Sequence, residues 1–167
     1  MRIEASIVIN RRPENVFAFL AVRDNDPLWM AAVEDSRWLD PSGAPRVGRR
    51  GRMAMKMFGR RTHFVDEVTT YEPGRAIAHR TVEGPFQLDT ACLCEPAGDG
   101  CRTTVVAEAD RMFGRLIDPL VAKLMRRGFN ADLAKLKRIL EAPAHDGPVV
   151  PEPGCAPREA GLGQPDR

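Results

Sequence analysis

No stretch of this 167-residue chain is apolar for long enough to cross a membrane as a helix, and no apolar leader core precedes Arg11-Arg12. A soluble, cytoplasmic protein is the expectation. Charge of one sign is missing too. With 25 Lys and Arg against 23 Asp and Glu, the formal +2 is too mild to argue for nucleic acid. Cysteine is sparse: Cys92, Cys94, Cys101 and Cys155 are the whole set, and none has the spacing of a zinc knuckle or redox pair. Cys92 and Cys94 point the same way from one strand, so they do not readily pair, and free thiols are expected. The three histidines, His63, His79 and His145, stand in no cluster with metal-ligand spacing. A Gly-rich phosphate loop and a Ser-His-Asp arrangement are also absent. This reading therefore calls on no metal and no cofactor.

What is present is a telling order of elements. Arg2 to Asn10 alternates polar residues with Ile3, Ala5, Ile7 and Ile9, which predicts a half-buried strand. Two short helices follow. Pro13 sits at the first turn of one, with Asn10 as candidate cap and Val16, Phe17 and Leu20 on its apolar face. Pro27 opens the other, with Leu28, Trp29 and Ala32 behind it. Strands are then predicted at Val33–Leu39, Arg50–Phe58, Arg60–Tyr71, Arg75–Val82, Phe86–Glu95 and Cys101–Met112. Turns at Asp40-Pro41-Ser42-Gly43, Gly59, Glu72-Pro73-Gly74, Glu83-Gly84-Pro85 and Pro96 to Gly100 separate them. Hairpins this tight make an antiparallel meander.

From Phe113 to Glu141 the period changes to helical, and Leu116, Ile117, Leu120, Val121, Leu124, Met125, Leu133, Leu136, Ile139 and Leu140 form one apolar stripe. Gly128 interrupts it, as a bend, a close approach or simple tolerance, at about 1 kcal/mol relative to alanine. The fold class is α+β: seven antiparallel strands wrapped around a long C-terminal helix, an arrangement that often leaves a cavity between the two. The domain spans 1–142, and the Pro/Gly-rich 143–167 reads as a disordered tail.

Several local motifs carry a family resemblance. They are Pro13-Glu14-Asn15-Val16-Phe17 with Trp29 downstream, Val47-Gly48, Val68-Thr69-Thr70-Tyr71-Glu72-Pro73-Gly74-Arg75-Ala76-Ile77-Ala78, Glu83-Gly84-Pro85, and Leu133-Ala134-Lys135-Leu136-Lys137. In this order and spacing the chain resembles the START-like (SRPBCC) superfamily, in its polyketide cyclase/dehydrase and lipid-transport branch. Two departures stand out: Cys92 and Cys94 replace an aromatic residue and leucine, and Gly100-Cys101 replaces Gly-Thr. The resemblance implies a helix-grip fold with an internal cavity for a small hydrophobic, polyketide- or lipid-like molecule. The protein would then be a cofactor-independent cyclase/dehydratase, or a non-catalytic carrier or sensor; the sequence does not separate them.

Strand alternation sorts the candidate site. Met53, Met55 and Met57 share one face and suit either an adaptable apolar wall or ordinary core. Facing in with them are Phe64, Asp66 and Val68, then Ile77, His79 and Thr81, then Phe86, Leu88, Thr90, Cys92 and Cys94, and last Thr103, Val105, Ala107 and Ala109. A bulge would swap these faces. Trp29, the three methionines, Phe64, Phe86, Leu88, Thr90, Leu120 and Leu124 are the expected ligand-binding set. Asp66 and His79, on adjacent strands, are candidate acid and base, with Arg80 or Arg111 to hold an enolate or carboxylate. A structural ion pair is the competing reading of Asp66 and His79. Tyr71 is expected to pack, and His63 to face solvent. Finally, Arg46, Arg49, Arg50, Arg52, Lys56, Arg60 and Arg61 surround one hairpin. They form a solvated face or a docking surface for an acidic carrier protein; the absence of interleaved aromatics disfavours single-stranded nucleic acid.

Overall fold

The computed structural model describes residues 1–57, 59–109 and 118–143. Strand β1 (Arg2–Ile9) leads into α1 (Pro13–Leu20), a 3-10 turn (Arg23–Asn25) and the one-turn α2 (Asp26–Trp29). Then come β2 (Val33–Trp38), β3 (Arg50–Met57), β4 (Arg60–Glu72), β5 (Ala76–Glu83), β6 (Leu88–Ala97), β7 (Gly100–Ala109) and α3 (Asp118–Glu141). The seven strands form one antiparallel sheet in the order β1-β7-β6-β5-β4-β3-β2. The expected helix grip is present: a curled sheet closed on its concave side by the C-terminal helix. Residues 113–117 of the expected helix and 144–167 of the expected tail, with His145 and Cys155, lie outside the described residues. No described helix is long and apolar enough to cross a membrane.

Local chemistry sets the ends of the elements. Pro13 fills the first turn of α1, where a missing N–H costs nothing, and Glu14 complements the dipole there. Asn10 does not cap it. Arg12 occupies the cap position without a side-chain bond, while the Asn10 amide donates to Glu141 Oε1 at 2.6 Å. Between β4 and β5, Pro73 presets φ and Gly74 takes a φ of 76°, so that the Arg75 amide reaches the Glu72 carbonyl at 3.0 Å. The register slips between Val68 and Thr70, so Asp66 pairs with Thr81 and Val68 with His79. That bulge keeps Val68 and Asp66 on the concave face together with Ile77 and His79.

The concave face is filled unevenly. Leu133, Leu136 and Leu140 of α3 are buried against Ile9, Val16, Phe17, Val68, Ile77 and Cys94. Besides the Asn10–Glu141 bond, three further polar ties hold this half of the helix. Lys137 Nζ donates to the Val8 carbonyl (2.6 Å), Arg11 Nε to the Leu140 carbonyl (2.9 Å), and the Ala31 amide to Asp132 Oδ1 (3.0 Å). Toward its N-terminus the helix meets no comparable core, and Leu120 is 70% exposed. One half of α3 is therefore a plug and the other a roof.

Two glycines should respond oppositely to alanine. A Cβ on Gly100 would collide with the Ile9 carbonyl oxygen, a backbone atom that cannot step aside, whereas a Cβ on Gly128 meets nothing within 4 Å. No strand approaches Gly128, so of the readings open to it a close strand contact is removed. Urea denaturation should show Gly100→Ala destabilised by about 1–3 kcal/mol and Gly128→Ala stabilised by up to about 1 kcal/mol.

Candidate functional site

Between the roof half of α3 and the sheet lies a cavity of about 310 Å³. Its walls are overwhelmingly apolar. Met53, Met55 and Met57 come from β3, and Phe64 of β4 meets Phe86 edge-to-face with ring centroids 5.2 Å apart. Leu88, Thr90 and Cys92 of β6 continue the wall, Trp29 stands at the end of α2, and Leu124, Met125 and Phe129 of α3 close it. Of the expected ligand-binding residues, Leu120 alone is not brought to the cavity. It sits in the first turn of α3, where that side of the helix faces outward. Tyr71 packs against Phe17, ring centroids 5.8 Å apart, and His63 is exposed.

Asp66 and His79 both reach the cavity wall, but not as an isolated acid–base couple. Arg23, only 4% exposed, grips Asp66 with both guanidinium arms: Nη1 donates to Oδ1 at 2.6 Å and Nη2 to Oδ2 at 2.7 Å. Its Nε donates to Ser36 Oγ (3.2 Å), and that hydroxyl donates to Asp26 Oδ2 (2.7 Å). The guanidinium also faces the Trp38 ring at 5.1 Å and lies directly on Gly51, where a Cβ would stand 2.5 Å from its central carbon. Asp66 therefore spends both oxygens on Arg23.

Sequence reasoning missed Arg23 and Asp26. The signal it could have used is Gly51, a glycine inside a strand and in register with Asp66, which marks the close approach of something large. Arg80 lies on the outer face, because alternation turns it away when His79 turns in. There it pairs with Asp89 at 2.8 and 3.1 Å. Arg111 lies outside the described residues.

Burial dominates the electrostatics. It pushes His79 down to about 4, with Arg23 adding to the drop and Asp66 opposing it, so the imidazole is neutral at physiological pH. Its Nε2 is buried without a hydrogen-bond partner, as is Nε1 of Trp29. Burial pushes Asp26 up to about 6 against the pull of Arg23 and Ser36. The Cys92 thiol is pushed up to about 12 and Cys94 also rises, so neither is a ready nucleophile. Cys92, Cys94 and Cys101 are free, and no group of three or more metal-ligating side chains exists among the described residues.

The basic hairpin is less basic than its sequence. Arg49 is buried, 4.3 Å from the Trp38 ring, and donates to the carbonyls of Asp40, Ser42 and Gly43. Arg50 pairs with Glu67 at 2.8 Å and Arg61 with Glu34 at 3.4 Å. Arg52, Lys56 and Arg60 remain exposed.

A curled sheet closed by a helix over an apolar cavity defines a helix-grip pocket protein. Comparison narrows it further: residues 1–141 match the family described as polyketide cyclase/dehydrase and lipid transport, and the chain belongs to that family. Its fold is shared with a START superfamily protein from Mycobacterium smegmatis, TM-score 0.71 at 15% identity over 84% of this chain and 97% of that one. A protein from Thermus thermophilus gives 0.70 at 20% identity, over 83% and 95% of the two chains. The Zhui aromatase/cyclase from Streptomyces sp. R1128 gives 0.66 at 15% identity, over 85% and 96%. No curated protein matches the chain.

Removing one partner of the buried pair should be costly. Arg23→Met strands the Asp66 charge and is expected to lose about 3–5 kcal/mol in urea denaturation, most of it recovered by adding Asp66→Leu.

On acidification His79 takes up its proton near 6.5 when unfolded but only near 4 when folded, so its contribution is lost as pH falls through that window. Asp26 behaves oppositely: the folded state protonates near 6 and the unfolded near 3.8, so acidification adds stability over that range. The two largely cancel between pH 4 and 6. Relative to wild type, Asp26→Asn should lose stability on acidification from pH 6 to 4, and His79→Asn should gain it. Thermal denaturation across this range checks both signs.

Proposed function

We propose that this protein binds a small hydrophobic, polyketide- or lipid-like molecule in the cavity beneath α3. The observation that carries this reading is the cavity itself: apolar, about 310 Å³, and edged by buried polar atoms of Trp29 and His79 that have no partner among the described residues. A site of this volume with few polar groups is the usual form of a small-molecule pocket. Unpaired buried donors and acceptors are costly, which favours an occupant that supplies what they lack.

Two uses of such a pocket remain in play. As a cofactor-independent cyclase/dehydratase, the protein would fold a reactive chain against the methionine wall and use neutral His79 as base. Asp66 would orient the site through Arg23 without moving a proton, since both its oxygens are engaged. As a carrier or sensor the protein needs only the cavity. The engagement of Asp66 and the outward turn of Arg80 favour the carrier, because they leave the acid–base set short of members. Delivery by an acidic carrier protein would fall to Arg52, Lys56 and Arg60.

Native mass spectrometry of protein purified from its own organism should show a retained apolar molecule. Thr90→Phe combined with Met55→Phe, which fills the cavity from two walls, should reduce its occupancy at least about tenfold without unfolding the chain. A ligand recovered unchanged after incubation supports the carrier. Loss of water from it, abolished by His79→Gln with binding retained, supports the cyclase/dehydratase. Full occupancy in the filled variant would place the ligand elsewhere and sink the cavity reading.

A further inference from the structure

The cavity has an unbalanced charge. Arg23 from the 3-10 turn is neutralised by Asp66 from β4. Asp26 from α2 carries a second carboxylate; one oxygen accepts from Ser36, and the other has no hydrogen-bond partner among the described residues. Asp26 is deeply embedded in protein yet keeps accessible surface, and it lines the apolar cavity with one oxygen not taken by Ser36. Asp132 from α3 also lines the cavity, with one oxygen on the Ala31 amide.

The other titratable groups offset this charge only in part. His79 from β5 is neutral and Cys92 from β6 stays a thiol. Asp24 adds a further negative influence on Asp26. The Met1 ammonium, at the cavity edge, donates to the Ala109 carbonyl. Near neutral pH the described walls thus hold an excess of negative charge, with one oxygen each of Asp26 and Asp132 unspent; Asp132, unlike Asp26, is also drawn down by Lys135. Trp29, on the same short helix and 3% exposed, lines the cavity with its indole N–H unpartnered among the described residues.

A carboxylate in an apolar enclosure is expensive, and an opposite charge from the ligand offsets the part of that cost that Arg23, already paired with Asp66, and Ser36 leave uncovered. An anion entering the same space would add repulsion to its own desolvation. We propose that the ligand is a hydrophobic molecule bearing a basic nitrogen, that its ammonium pairs with the free oxygen of Asp26, and that the cavity rejects carboxylates of the same shape. This deepens the ligand-binding reading and rests on it.

Three isosteric probes test the idea: 2-naphthylmethylamine, 2-naphthylmethanol and 2-naphthoate, titrated into the full chain at pH 7.5 by calorimetry. The amine should bind at least about tenfold more tightly than the carboxylate, with the alcohol between them. In wild type, lowering the pH to 5 protonates Asp26 and should cut the amine's advantage over the alcohol by up to about tenfold. Asp26→Asn, which keeps the bond from Ser36, should bring amine and alcohol to similar affinity at both pH values. The pH series on wild type decides the matter even if that variant folds poorly. A carboxylate that binds as well as the amine overturns the inference. So does an amine preference that survives both acid and Asp26→Asn. If the alcohol binds and the amine gains nothing, the cavity reading stands and the charge inference alone fails. If none of the three binds, both fail.

Discussion

The Arg23–Asp66 pair is the interaction on which the open half of this fold depends. The chain between α1 and β2 is short, holds only a 3-10 turn and the one-turn α2, and must bridge the mouth of a curled sheet. Apolar packing alone would leave it many arrangements. A two-armed salt bridge to β4, a third bond to Ser36 on β2 and a seat on Gly51 of β3 leave it one. Three neighbouring strands are thereby tied to a single guanidinium. Such a pair adds little net stability over a well-packed apolar substitute, because both charges must be desolvated. What it supplies here is position: it sets where α2 lies, and with it Asp26 and Trp29.

That anchoring explains how one helix serves two purposes. The C-terminal half of α3 buries Leu133, Leu136 and Leu140 and fastens the helix to β1 through Lys137 and Glu141. Because this half carries the packing, the N-terminal half is free to span the cavity without filling it. Gly128 lies in the roof, where its missing side chain leaves space empty. Core and cavity are two ends of the same groove, separated by which helix residues are large and which strands they meet.

Most of the wall was legible in the sequence, for a specific reason. Met53, Met55 and Met57 alternate without interruption, so a period of two assigns the faces of β3, and the register shifts between β4 and β5 leave Asp66, Val68, Ile77 and His79 on the side that alternation gives them. His79 and Thr90, opposite one another, followed from the same rule. The rule also disposes of Arg80: adjacency to His79 in sequence is what separates the two in space. Arg23 and Asp26 were not legible. They lie where no periodicity operates, and the partner that gives Arg23 its meaning is 43 residues away. Arg49 was misjudged likewise; counted among surface charges, it is consumed by three loop carbonyls and the Trp38 ring.

The helix-grip architecture, the order of its elements and the inward side of most strands can be read along the chain. All three depend on local periodicity and turn chemistry, which act between near neighbours. Which inward polar groups are spent and which stay available is settled only once the chain has folded. Asp66, a candidate acid or base by its strand position, is engaged by Arg23, while Asp26, which no pattern singled out, lines the cavity with one oxygen not taken by Ser36. The physical reason is that a buried charge is defined by its partners, and these partners come from separate strands and turns brought together only when the sheet closes.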